Sequence, residues 1–153
     1  MVGHKGLRMI ARRVATGLLL CAGIAVAQPQ YTGSAACRTC HPDVWADFYK
    51  NPHARTMQSG EAPPERSGCE GCHGPGSEHI AGRGDKSKIT AFSALGARGV
   101  LDRCLECHGE SIGRAQIRRS SHTMAQVACT SCHSIHKSRA AKLLAKQQRE
   151  VCY

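Results

Sequence analysis

The chain has 153 residues, enough for one ordinary domain, with 21 Lys and Arg against 11 Asp and Glu and a formal charge of +10. Its composition excludes an ordinary hydrophobic core: Tyr31, Trp45, Phe48, Tyr49, Phe92 and Tyr153 are the only aromatic residues, whereas Cys numbers 10 and Gly 16. Folding must offset about 1–2 kcal/mol of conformational entropy per residue and a small domain buries proportionally little surface, so something other than side chains has to supply apolar volume.

In chain order, the first element reads as a secretory signal. His4, Lys5, Arg8, Arg12 and Arg13 make a basic start without an acid, and Val14–Val26 is an apolar run too short to span a bilayer comfortably. Ala25-Val26-Ala27 offers the small-x-small cleavage pattern, which makes residues 1–27 the signal peptide and Gln28 the first mature residue. An uncleaved anchor is the alternative. Cys21 follows Leu20 where a lipoprotein needs a small residue, so it belongs to the discarded peptide. Removing residues 1–27 takes away four basic side chains and no acid, leaving +6. An exported chain without a long Lys/Arg block has no nucleic acid to meet, so that charge needs another partner.

The mature domain, 28–153, continues with Cys37-Arg38-Thr39-Cys40-His41. A short helix is predicted over Pro42–Tyr49, and Asn51-Pro52-His53 turns His53 back toward the motif. Ser59–Gly68, with Pro63-Pro64, reads as a loop leading to Cys69-Glu70-Gly71-Cys72-His73. Gly74-Pro75-Gly76-Ser77 is a tight turn that places His79, and Ala81–Gly84 and Gly96–Gly99 read as further loops before Cys104-Leu105-Glu106-Cys107-His108. Arg114–Met124 is predicted helical, followed by Cys129-Thr130-Ser131-Cys132-His133. Arg139–Arg149, rich in Ala, Leu, Lys and Gln, is the best helix candidate of all. Strand signals are few.

The recurring unit is C-x-x-C-H, the signature of c-type haem attachment. Two thiols separated by two residues reach the two vinyl groups of one porphyrin and form thioethers, and the next side chain, an imidazole, lies under the iron. The intervening pair differs in every copy, which assigns the chemistry to Cys and His alone. A zinc ribbon or a redox dithiol also uses C-x-x-C, and an exported chain can form disulfides, but none of these requires His at the next position. The expected cofactor is haem c, attached through Cys37, Cys40, Cys69, Cys72, Cys104, Cys107, Cys129 and Cys132, with His41, His73, His108 and His133 as iron ligands.

Outside the signal, four histidines remain: His53, His79, His122 and His136. Four haems need four sixth ligands, so the count closes on bis-histidine ligation. Met57 and Met124, near His53 and His122, are alternative thioether ligands that would raise the potential. His136 lies three residues after His133, a reach of at most roughly 10 Å, too short to pass round a porphyrin to the far face of the same iron. His136 is therefore expected at a neighbouring haem, and His79 likewise. Each oxidised bis-histidine haem with ionised propionates carries roughly −1, so the basic excess reads as propionate partners. Such haems sit at low potential, which suits anaerobic or iron-linked respiration. The expected fold is that of a multihaem cytochrome c: mostly irregular, with short α-helices, a haem-organised core and little or no β.

Taken together, Cys37–His41 with the Trp/Phe stretch to His53, the segment Cys69-x-x-Cys72-His73-Gly74-Pro75-Gly76-Ser77-x-His79, Cys104–His108, Ser121-His122 leading to Cys129–His136, and the tail Arg149–Tyr153 resemble the periplasmic decahaem cytochromes of metal-reducing, phototrophic iron-oxidising and DMSO-respiring systems. The likeness covers residues 35–153, and the Cys-His-Gly-Pro-Gly segment is its most specific part. It implies proximal ligands at His41, His73, His108 and His133, distal ligands at His53, His79, His122 and His136, and electron transfer across the periplasm. It also implies an outer-membrane β-barrel porin and an inner-membrane or periplasmic cytochrome as partners. The family has ten motifs and this chain has four. Cys152 stands where a fifth would begin, so the reading expects a sequence cut inside a fifth, partial site; a tetrahaem protein with a stray thiol is the alternative. A soluble shuttle to a terminal reductase is the nearest rival function. A multihaem reductase needs an iron with an open position, and the four-to-four balance of histidines leaves none, so no catalytic residue is expected.

Overall fold

The computed structural model describes residues 28–137 and 141–151. The expected signal peptide, the start of the expected C-terminal helix at Arg139 and the partial site at Cys152 lie outside the described residues.

Within them the chain is a succession of short helices joined by loops: α1 (Pro42–Phe48), α2 (Arg55–Gln58), α3 (Glu70–His73), α4 (Ser77–Ala81), α5 (Ala97–Ile112), α6 (Arg114–Arg118), α7 (Ser121–Met124), α8 (Cys129–Cys132) and α9 (Gln148–Val151). The only β-type pairing among the described residues is one antiparallel bridge between His133 and Leu144. Helix α1 begins with Pro42 at its first position and Asp43 in its first turn, both suited to a helix N-terminus. It ends before Pro52, as the sequence predicts.

Three expectations are corrected. Gly96–Gly99 is not a loop: Gly96 caps α5, and the helix runs sixteen residues through the third motif to Gly113, whose left-handed φ of 77° closes it. The helix forms because Leu101, Leu105 and Gly109, spaced by four, are all buried on one face. Arg114–Met124 is two short helices, α6 and α7, interrupted where the Ser120 hydroxyl caps α7 by accepting from the Thr123 amide. The third correction concerns Arg139–Arg149, whose described part is not one α-helix. Lys142 and Leu143 take left-handed φ values of 57° and 61°, at a cost of roughly 1–2 kcal/mol each. The gain is backbone pairing with the fourth motif: Ser134 N–H donates to Leu143 O at 2.8 Å and Ala145 N–H to Cys132 O at 2.9 Å. Tertiary hydrogen bonding overrides helix propensity here.

The apolar core is thin. Among the described residues the buried hydrophobic side chains are Phe48, Ala54, Val100, Leu101 and Leu105, and Leu105 is the largest that is fully enclosed. Polar ties do much of the remaining work. Arg114 reaches back from α6 to donate to Leu105 O at 2.8 Å, and Arg103 of α5 donates to Cys72 O at 2.7 Å, joining the second and third motifs. With so few buried apolar residues, Leu105→Ala should lower the unfolding free energy of the haem-loaded protein by about 2–5 kcal/mol, measured by denaturant titration.

Candidate functional site

Each motif sits at a local structure that aims its histidine. The first lies on a 3-10 turn, Ser34–Thr39, running into α1, the second is α3, the third is on α5 and the fourth is α8. The intervening residues of the second motif are not interchangeable, contrary to the expectation from sequence. Glu70 is 2% exposed and its carboxylate accepts from Thr32 N–H at 2.9 Å, Gly33 N–H at 2.7 Å, Gly76 N–H at 2.8 Å and the Thr32 hydroxyl at 3.2 Å. It therefore clamps the N-terminal segment and the Gly74–Gly76 turn onto the motif. Gly71 is equally fixed, since a Cβ there would lie 2.9 Å from the Arg66 carbonyl carbon.

The folding brings motif and non-motif histidines together in pairs drawn from distant segments. His41 faces His79 with ring centroids 6.4 Å apart and planes at 14°, and His73 faces His136 at 5.7 Å and 21°. His108 faces His53 at 5.8 Å and 78°. His136 thus lies against the second motif rather than its neighbour His133, and His79 lies against the first. His122, exposed on α7, forms no ring pair with His133. Neither methionine takes a histidine's place: Met57 packs against Gly68, and Met124 is 75% exposed.

Hydrogen bonds fix which ring nitrogen is available. The Nδ1 of His73 lies 2.8 Å from Thr90 O, that of His79 2.9 Å from Asp85 O, and that of His133 3.1 Å from Lys142 O. The Nδ1 of His53 lies 3.0 Å from Asn51 Oδ1. All four oxygens can only accept, so Nδ1 carries the proton and Nε2 keeps its lone pair for a metal. His73 is held doubly, because Thr90 N–H donates back to His73 O at 2.8 Å. Burial holds His53 and His136 below the usual histidine range, with His108 adding to the effect on the first and His73 and His41 on the second. Neutral imidazole is the ligating form.

The thiols show how the sites adjoin. The neighbouring Cys69 raises the Cys37 thiol, and Cys37 in turn lowers that of Cys69 to about 7. Burial pushes Cys104 up to about 12, with Cys129 beside it adding to the rise. The leading cysteines of the first and second motifs therefore meet, and so do those of the third and fourth.

Two imidazoles bound through Nε2 to one metal at about 2.0–2.1 Å place their centroids about 6 Å apart, the separation all three pairs have. Eight motif thiols, none of them in a disulfide, complete the donor set for thioether attachment. Among the described residues no three His, Cys, Asp or Glu side chains converge as a zinc site requires. The residues present fit haem c.

Comparison with known proteins agrees. The doubled CXXCH motif family matches residues 122–153, and the cytochrome c554 and c-prime family matches residues 81–134. The Multiheme cytochrome MtrA of Shewanella baltica (strain OS185) is 33% identical over 124 residues, which is 78% of this chain and 36% of that protein. The chain is a multihaem c-type cytochrome. Its cofactor is haem c. This cytochrome spans about a third of the length of the curated relative it matches. No solved structure matches it.

Removing the clamp under the second motif tests its structural part. Glu70→Ala should cost about 1–3 kcal/mol by leaving amides unpaired, and Gly71→Ala about 1–3 kcal/mol by overpacking. Both are measurable as lowered denaturation midpoints of the haem-loaded cytochrome.

Proposed function

We propose that this cytochrome transfers electrons in the periplasm through covalently bound bis-histidine haems, toward or from an outer-membrane porin–cytochrome conduit. The observation that carries the reading is the set of three cross-segment imidazole pairs, each made of one motif histidine and one non-motif histidine at the spacing of two ligands on one metal.

Bound haem c supplies a one-electron iron couple and a large apolar surface. Cys37, Cys40, His41 and His79 would hold the first group, Cys69, Cys72, His73 and His136 the second, and Cys104, Cys107, His108 and His53 the third. Cys129, Cys132 and His133 would hold the fourth, with His122 the remaining imidazole for its far side. In the three paired sites both imidazoles would bind the iron, which would leave no place for water or substrate and favour electron transfer over catalysis at the metal. Carbonyl oxygens at Thr90, Asp85 and Lys142 hold His73, His79 and His133 in the ligating tautomer. The meeting of Cys37 with Cys69 and of Cys104 with Cys129 brings attachment edges of successive sites side by side, which supports rapid exchange between them.

No described helix is long and apolar enough to cross a membrane. The periplasmic location and the export step rest on the signal-like residues 1–27. The porin partner, with an inner-membrane or periplasmic cytochrome on the other side, rests on the resemblance to decahaem cytochromes.

Loading the full chain in a host with periplasmic haem maturation gives the test. A pyridine haemochrome assay should count four haems, and dithionite-reduced spectra should be low-spin, with carbon monoxide binding to none of the first three. Electron paramagnetic resonance should resolve two kinds of low-spin ferric signal. Rhombic signals are expected from the near-parallel planes at the first and second sites, and a signal of large g anisotropy from the near-perpendicular planes at the third. His79→Ala should open one iron to carbon monoxide and remove one rhombic signal while the large-g signal stays. Carbon monoxide binding by the unsubstituted chain at the paired sites would instead indicate a reductase, and bound zinc without haem would end the proposal. Co-purification with a β-barrel separates the conduit from a soluble shuttle.

A further inference from the structure

Asn51 is 8% exposed, and its side-chain amide spends each polar atom on a different part of the chain. Its Oδ1 accepts from the backbone N–H of His53 at 2.9 Å and from His53 Nδ1 at 3.0 Å. Its Nδ2 donates to Ile135 O at 2.6 Å, across 84 residues of sequence. Because Ile135 O only accepts, the amide has one orientation, and Oδ1 must face His53. The Asn51 backbone is also committed, with N–H donating to Phe48 O at 2.8 Å and O accepting from Ala54 N–H at 2.9 Å.

From this geometry we infer that Asn51 is a positioning residue for two haem sites at once: it sets the plane of the His53 ring across that of His108, and it anchors the segment that presents His136 to His73. Two bonds from one oxygen, one to the ring and one to the backbone of the same residue, leave His53 no free rotation about its side chain. Its plane is consequently fixed at 78° to His108, whereas the other two pairs lie at 14° and 21°. The third site thereby differs electronically from its neighbours. A hydrogen bond accepted from Nδ1 also makes the ligating nitrogen more basic, which favours the ferric state. On the other side of the amide, Nδ2 holds the carbonyl immediately before His136. One buried side chain thus ties the distal ligands of the second and third sites together.

The inference rests on the bis-histidine reading of Proposed function, and the two fail differently. If the ligand reading is wrong, His53→Ala leaves the spectra of the unsubstituted protein unchanged. If only the role of Asn51 is wrong, His53→Ala removes the large-g signal and Asn51→Leu does not.

The variants are Asn51→Leu, which keeps the volume and removes both polar atoms, and Asn51→Asp, which keeps the acceptor and removes the donor. Both are loaded with haem as the full chain and examined by electron paramagnetic resonance and redox titration. Asn51→Leu should lose the large-g signal and shift the potential of the third site upward at an unchanged haem count. Asn51→Asp should retain the large-g signal while the rhombic signal of the second site shifts or broadens. An unchanged large-g signal in Asn51→Leu would overturn the inference. If Asn51→Leu fails to load haem, Asn51→Asp decides alone: a shifted or broadened second-site rhombic signal beside a retained large-g signal supports the inference, and an unchanged rhombic signal or loss of the large-g signal overturns it.

Discussion

An imidazole offers a metal only the ring nitrogen that does not carry its proton, so a protein that would face two imidazoles across one iron must first decide where each proton sits. In this cytochrome the decision is made by oxygen atoms behind the rings. Thr90, Asp85 and Lys142 give backbone carbonyls to His73, His79 and His133, and Asn51 gives its side-chain oxygen to His53. Much of the loop structure follows from the need to bring those oxygens into place. The left-handed residues Lys142 and Leu143 turn the chain so that one carbonyl reaches His133 and the next pairs with Ser134. The loop after α4 likewise carries Asp85 back to His79.

This dependence explains the modest apolar core. Five buried hydrophobic side chains are few for the described residues, and hydrogen bonds to motif backbones hold together what packing does not. Glu70 is the clearest instance, a buried carboxylate with four donors inside the second C-x-x-C-H unit. The short helices have the same origin. Isolated helices of four or five residues are marginal in water; α3 is anchored at both ends, by Ser34 at Cys69 and by Arg103 and Thr90 at Cys72 and His73, and α8 at its C-terminal end by Leu143 and Ala145.

Much of the site was readable from sequence because covalent attachment demands specific residues at specific spacing. Four motifs and the four free histidines named every imidazole that the structure pairs with another. The short reach from His133 to His136 also pointed to a partner in another motif. The partners themselves were not readable, since pairing His53 with His108 or His136 with His73 depends on how distant loops return. Backbone acceptors carry no residue signature, because any residue's carbonyl serves. Glu70 and Gly71 looked like filler between two cysteines, and only the approach of Thr32, Gly33 and Arg66 shows otherwise. In the fold, α1 was legible from Pro42 and Pro52. Helix α5 was hidden by glycines that in fact cap or line it, and the Ala- and Lys-rich tail was captured by the fourth motif.

The order in which the pairs close has a consequence for how the molecule is made. His79 reaches back to the first motif, His53 waits for the third, and His136, beyond the fourth motif, completes the second. A chain emerging N-terminus first therefore presents His73 long before its counterpart exists. Under the proposed ligation, haem attachment at the second motif would precede the arrival of its second imidazole, and that site would be completed last although its cysteines arrive early. Until His136 emerges, the second motif would offer only His73 to the group it holds, and a chain cut between α5 and His136 would keep it so.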